Sequence, residues 1–183
     1  DGSKLWEFAT NGGITAAPVV SDGRVYVGSF DSVFHALDAQ TGAEGWRFAD
    51  ARGWFWAGAV ATQDTVYAPS LDGNLYALDA ATGNLRWTLR TNGPIVGSPV
   101  VVFDRIAVGS DDGTVRLVRL SDGGDEFRCN IGSQIRASLT KYEAPEDTLV
   151  YLAARDHSIR ALRVKSNGSP DELWVHFTNR EDP

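Results

Sequence analysis

Apolar and polar positions alternate in short runs along most of the chain. Asp, Gly, Ser or Thr breaks these runs at close intervals, a pattern that predicts antiparallel strands joined by tight turns. The stretch from 15 to 49 shows it in full. It reads TAAPVV (15–20), a turn at Ser21-Asp22-Gly23, RVYVGS (24–29), a turn at Asp31-Ser32, VFHALD (33–38), a turn at Gln40-Thr41-Gly42, and EGWRFA (44–49). No stretch fits a helix of ordinary length.

The same four-strand pattern recurs. RVYVGSFDSVFHALDAQTGAEGWRFA (24–49) aligns without a gap on TVYAPSLDGNLYALDAATGNLRWTLR (65–90) at an offset of 41 residues. RIAVGSDDGTVRLVRLSDGGDEFRCN (105–130) follows at an offset of 40, and a degenerate fourth copy runs from 149 to 177. An aromatic residue marks one phase of every copy: Trp46, Trp87, Phe127 and Trp174, with Trp6 standing 40 residues before Trp46 in KLWEF. Four strands per repeat of about 40 residues is the signature of a propeller blade. The expected fold is therefore all-β, a β-propeller of four-stranded antiparallel blades. The blades fall at approximately 12–50, 51–91, 92–131 and 132–178, with residues 4–8 as the outer strand of a preceding blade. ELWVHF (172–177) gives the fourth blade its own outer strand, so KLWEF is surplus. This favours a segment of a longer array over a half-ring that pairs with another copy or a closed four-blade ring.

The turns carry their own chemistry. Asp72-Gly73 and Asp112-Gly113 sit between second and third strands, where positive φ favours Asp-Gly, and Asp31-Ser32 and Asp156-His157 are weaker versions. In Asp38-Ala39-Gln40-Thr41-Gly42 and Asp79-Ala80-Ala81-Thr82-Gly83, the carboxylate is placed to accept nearby amides while Gly closes the turn. Arg119 and Arg163 replace that Asp in the later copies, which predicts looser turns there.

The recurring DG-x-LYALDA-x-TG-x-x-x-W, as it stands at 72–87, resembles the tryptophan-docking repeat of the pyrroloquinoline quinone (PQQ)-type propellers. That family includes quinoprotein dehydrogenases, a lipoprotein scaffold of bacterial outer-membrane protein assembly, and sensor propellers attached to kinases. The resemblance implies that Trp6, Trp46, Trp87 and Trp174, with Phe127 substituting, dock between adjacent blades and are structural. It also implies that a quinone site would need a vicinal Cys-Cys disulfide, a calcium ion and a catalytic Asp. The chain has one cysteine, Cys129, so that disulfide is excluded within it, and neither a cofactor nor a catalytic residue is expected here.

Composition narrows the remaining partners. The 183 residues are 43% hydrophobic and 22% charged, without an apolar run long enough to span a membrane as a helix. Seventeen basic against 24 acidic residues give a net charge of −7, which argues against nucleic acid. No methionine is present, so position 1 reads as something other than a translation start. His35, His157 and His176 fall in different blades or strands with no zinc-site spacing, and no nucleophile elbow or nucleotide-binding loop is present.

The most unusual local feature is Arg52-Gly53-Trp54-Phe55-Trp56, which aligns with Gly12-Gly13-Ile14-Thr15 and Gly93-Pro94-Ile95-Val96. Alternation puts Phe55 at the core position and Trp54 and Trp56 on the other face, at the channel mouth, where aromatic anchors serve binding. Arg136 is equivalent to Trp56, which suggests an Arg–aromatic stack on one rim. Arg155-Asp156-His157 departs from Asp-Gly turn chemistry and marks a second candidate edge. Asp31 and Asp111-Asp112 gather oxygen ligands of the kind calcium uses, but turn formation explains them without a metal. The leading expectation is a non-catalytic protein-interaction scaffold that binds a protein partner, or itself, through open blade edges. Its alternatives are a ligand-sensing propeller of a receptor or kinase and part of a PQQ-dependent dehydrogenase. The family resemblance implies a periplasmic or extracellular setting.

Overall fold

A computed structural model describes residues 2–144, 147–166 and 171–178, of which 171–174 are described by backbone alone. The described strands form four antiparallel four-stranded sheets, each ordered as it occurs in the chain. The first blade comprises β1 (Val19–Ser21), β2 (Arg24–Gly28), β3 (Phe34–Asp38) and β4 (Glu44–Phe48). The second comprises β5 (Val60–Ala61), β6 (Thr65–Pro69), β7 (Asn74–Asp79) and β8 (Leu85–Arg90). The third holds β9 (Val100–Val102), β10 (Arg105–Gly109), β11 (Thr114–Arg119) and β12 (Asp125–Asn130). The fourth holds β13 (Thr140–Glu143), β14 (Asp147–Ala153), β15 (Ser158–Lys165) and β16 (Asp171–Phe177). The chain is thus an all-β arc of propeller blades.

Two segments differ from the sequence reading. The first strand of the first blade is shorter than its alternating pattern: residues 15–18 stay outside the ladder. Pro18 has no N–H to give to one, and Thr15 instead donates its Oγ1–H to the Trp56 carbonyl of the next blade at 3.1 Å. Among the described residues, 4–8 pair with no strand.

Packing between blades buries one apolar knob per junction. Phe55, Ile95 and Ile135 are each wholly buried, and a methyl group on Gly28 or Gly109 would collide with Phe55 or Ile135 respectively. At the two ends of the arc the same positions are open: Ile14 is 43% exposed at the leading face and Ile159 38% at the trailing face. Their counterparts Phe34, Leu75 and Val115, equivalent to Ile159, are at most 1% exposed.

A second contact ties each junction from the outside. Trp6, Trp46 and Trp87 donate their indole N–H to the carbonyls of Ala39, Ala80 and Leu120 at 3.1, 3.0 and 2.9 Å. Each indole lies against the glycine that closes the next blade's turn, Gly42, Gly83 or Gly123, with no room for a β-carbon. Tyr26 and Tyr67 add a second donor to the Ala80 and Leu120 carbonyls at 3.2 and 3.4 Å. Phe127 and Ala107 occupy the corresponding places at the third-to-fourth junction, and neither side chain has a donor. There Arg105 crosses instead, its Nη1–H reaching the Lys165 carbonyl at 3.0 Å. The side chain of Trp174 lies outside the described atoms. In every blade the register between third and fourth strands shifts beside this docking position, at Ala36/Leu37, Ala77/Leu78, Leu117/Val118 and Ala161/Leu162. A bulge of this kind twists the outer strand locally and re-aims its side chains.

The turns between third and fourth strands behave as the sequence suggests in the first two blades. Asp38 Oδ1 accepts the amides of Gln40 and Thr41 and the Thr41 hydroxyl, and Asp79 Oδ1 accepts the same set from Ala81 and Thr82. The Arg119 turn is not looser in its backbone: it keeps both main-chain bonds, Arg119 N–H to Gly124 O and Gly123 N–H to Arg119 O, at 3.0 Å. Asp122 moves into the carboxylate's role, accepting the Gly124 amide at 2.9 Å and the Arg119 guanidinium at 3.0 and 3.1 Å. Residues 167–170 of the corresponding fourth turn lie outside the described residues. Between second and third strands, Gly73 and Gly113 have φ of +85° and +81°, and Ser32 and His157 take the same conformation at +66° and +65°.

These contacts give two checkable outcomes. Gly83→Ala adds left-handed strain and a collision with Trp46, so it should destabilise the fold by about 2–4 kcal/mol, whereas Ser32→Gly should stabilise it by about 0.5–1 kcal/mol; urea midpoints read both. Asp79 is held down to about 2 by the Arg86 guanidinium and by Thr82. A group depressed on folding stabilises the fold above its unfolded value, near 3.9, and loses that contribution as pH falls toward 2. Arg86→Ala should return the Asp79 carboxyl midpoint, followed by NMR, toward 3.9, and the stability gap between the two proteins should close between about pH 4 and pH 2.

Candidate functional site

The loops between second and third strands and the entries to the next blade lie together on one rim of the arc. One backbone scheme builds every position on it. Phe30, Leu71, Asp111 and Arg155 each donate their amide within their own blade to Gly13, Trp54, Pro94 and Gln134 carbonyls, at 2.9, 2.9, 2.9 and 3.0 Å. The buried Ser29, Ser70 and Ser110 carbonyls accept the amides of Phe55, Ile95 and Ile135 from the following blade at 3.2, 3.2 and 3.3 Å. Rim residues therefore come in register, one set per blade.

At the first junction the rim is aromatic. The Phe30 ring stacks on both indoles, 4.8 Å from Trp54 with an interplanar angle of 16° and 5.3 Å from Trp56 with an angle of 10°. Trp54 and Trp56 remain 48% and 43% exposed, while Phe55 between them is fully buried. Alternation along the strand accounts for this division. Both indoles are fixed by a ring from the preceding blade and still offer surface to solvent.

At the third junction the same positions are ionic. Arg136 clasps Asp111, with Nε at 3.0 and 3.1 Å from the two carboxylate oxygens and Nη2 at 2.7 Å. This bond raises the Arg136 guanidinium above its ordinary value. Gln134 joins the pair, its Nε2–H directed to Asp111 at 3.4 Å and its Oε1 accepting Arg155 Nη1–H at 2.8 Å. Arg136 is thus two junctions from the tryptophans and bonded to a carboxylate, so the aromatic–arginine stack expected from the sequence does not form. Asp156 turns away from Arg155. It accepts the Ser158 amide and hydroxyl and the Arg160 guanidinium, at 3.1, 2.6 and 3.0 Å, and these hold its carboxyl below the usual range. His157 takes the positive-φ turn position, and its carbonyl accepts the Thr178 amide at 2.8 Å.

Asp31, Asp111 and Asp112, weighed as cation ligands, and the equivalent Asp72 are spent on the fold, Asp111 on Arg136. Asp31, Asp72 and Asp112 each accept an amide from the strand that follows, Val33, Asn74 or Thr114, and one from the blade entry, Asn11, Arg52 or Asn92. Burial pushes the Asp72 carboxyl up, but the Tyr76 hydroxyl and these amides outweigh it and the net shift is downward. Burial and the same Asp72 bond push the Tyr76 phenol up to about 12. Among the described residues no group of three His, Cys, Asp or Glu side chains is placed to hold a metal.

Sequence reasoning missed three features of this surface: Phe30, the Asp111–Gln134–Arg136 network, and His35, which is buried with its Nδ1 2.6 Å from Glu44. The first two had a readable signal. Each loop residue meets the entry of the next repeat about 25 residues on, so the two positions change together from blade to blade.

An arc of tryptophan-docked four-stranded blades, with a rim of variable side chains on a constant backbone, defines a PQQ-type propeller. The family model described as outer membrane protein assembly factor BamB matches residues 1–54 and 29–172, and the chain belongs to this family. Among solved structures it is similar to BamB from Moraxella catarrhalis, at 17% identity and a TM-score of 0.70 over 96% of this chain and 65% of that one. It is similar to quinohemoprotein alcohol dehydrogenase from Comamonas testosteroni, at 22% identity and 0.76 over 91% of this chain and 35% of that one. The computationally designed protein Ika4 matches at 17% identity and 0.74, over 90% of this chain and 99% of the designed one. The chain thus spans less than two thirds of both natural proteins. No curated protein matches it.

Proposed function

We propose that the chain is a non-catalytic propeller segment that binds protein, as part of outer-membrane protein assembly on the periplasmic side. Membership in the BamB family supports the setting. The observation that carries the binding role is the Phe30–Trp54–Trp56 stack: two indoles half open to solvent, yet held rigidly by a ring from the neighbouring blade. Rigid aromatic surface is what protein interfaces use for anchors, since little side-chain entropy remains to be lost on contact.

A second reading, part of a quinone-dependent dehydrogenase, is supported by the fold shared with the Comamonas enzyme. The single Cys129 cannot supply a vicinal disulfide, which weighs against it. Dye-linked alcohol oxidation after addition of the quinone and calcium would establish this alternative.

The proposal is tested by binding of the protein to the purified components of its source's outer-membrane assembly machinery. Replacing both indoles, Trp54→Ala with Trp56→Ala, should weaken binding by about tenfold or more while Phe55 keeps the core intact. Undiminished binding by the folded double variant would remove this surface from the role.

A further inference from the structure

The rim changes character in one direction. It is aromatic at Phe30, Trp54 and Trp56, aliphatic at Leu71, Pro94 and Val96, and ionic from Asp111 to Arg155. Because the same amide-to-carbonyl bond pins one loop residue per blade, these side chains follow one another along a single edge of the arc. At the ionic end the charges do not balance. Asp111 is taken by Arg136, with the carboxylate nearly buried, whereas Arg155 donates to the neutral side-chain oxygen of Gln134. No carboxylate pairs with Arg155 among the described residues, and Arg155 borders an open cleft of about 520 Å³ lined also by Ser133, Gln134 and two carboxylates that have arginines of their own, Asp111 with Arg136 and Asp112 with Arg116. In a chain of net charge −7, an arginine with no carboxylate partner beside a cleft is a local seat for an acidic group.

We infer that this rim is a docking track for an extended peptide segment with bulky apolar side chains at one end and carboxylates at the other. The apolar end lies on the exposed indoles and Leu71, and the acidic end on Arg155. An extended strand suits a row that offers one residue per blade, and a rigid aromatic row limits the entropy lost on docking. The ionic end sets direction and selectivity more than affinity, because its charges face solvent. This inference rests on the scaffold reading above and specifies the chemistry of the partner.

The test uses three fluorescein-labelled peptides that share a Phe-Leu-Phe half and a Gly-Ser-Gly spacer. They end in Asp-Glu-Asp, Asn-Gln-Asn or Lys-Lys-Lys, and binding to the whole chain is followed by fluorescence anisotropy. The acidic peptide should bind about threefold tighter than the neutral one at low salt, with the difference shrinking at about 0.15 M salt, and the basic peptide should bind weakest. Trp54→Ala with Trp56→Ala should weaken the acidic and neutral peptides alike by about tenfold. Arg155→Glu should weaken only the acidic one and erase its advantage. Circular dichroism that matches the parent protein certifies the fold of each variant. Equal binding of acidic and neutral peptides, an Arg155→Glu effect common to all three, or no saturable binding would overturn the inference. Loss of assembly-component binding in the tryptophan variant without any peptide binding overturns the peptide track and leaves the scaffold reading standing. Peptide binding of the expected selectivity without component binding supports the track and removes the proposed partner.

Discussion

The contact on which the arc depends is the indole of one blade resting on the turn glycine of the next. A single blade has two broad faces and cannot bury both on its own, so stability comes from repetition. The indole contributes twice at that contact. Its ring fills the space a β-carbon would otherwise need, and its N–H satisfies a carbonyl that the turn leaves exposed. The bulge at the same level of every blade is part of this arrangement, because it turns the outer strand at the point where the aromatic must reach across.

With junctions secured from the outside by the dock and from the inside by Phe55, Ile95 and Ile135, the rim is released from structural duty. Its backbone bonds repeat from blade to blade while its side chains vary in kind. The acidic loop residues belong to the constant part: they collect amides from both sides and fix the loops on which the variable residues stand. This division resembles that of many binding proteins, in which a rigid scaffold presents changeable loops.

Much of the fold was legible because the repeat displays its own alignment. Strand order, turn positions and the partition of Phe55 from Trp54 and Trp56 follow from period-two alternation and a constant offset. The rim was less legible, since pairing across a junction joins residues in neighbouring repeats. Arg136 aligns with Trp56, but its environment is set by Asp111 from the blade before it, and alignment by position alone says nothing about that neighbour. The tightness of the Arg119 turn was missed for a related reason. A carboxylate three residues later, Asp122, substitutes for the one that was lost. His35 reads as an ordinary strand histidine until Glu44 and the ring of Phe8 are seen beside it.

The third-to-fourth junction has lost both outer donors of the dock, Phe127 standing where an indole would be and Ala107 where a tyrosine would be. Each missing bond is a modest sum, about 1 kcal/mol. Other side chains cross there instead, Arg105 to the Lys165 carbonyl and Arg136 to Asp111. What reads in the sequence as the decay of a repeat becomes, in the folded chain, a joint whose fastening has passed from an indole to arginines.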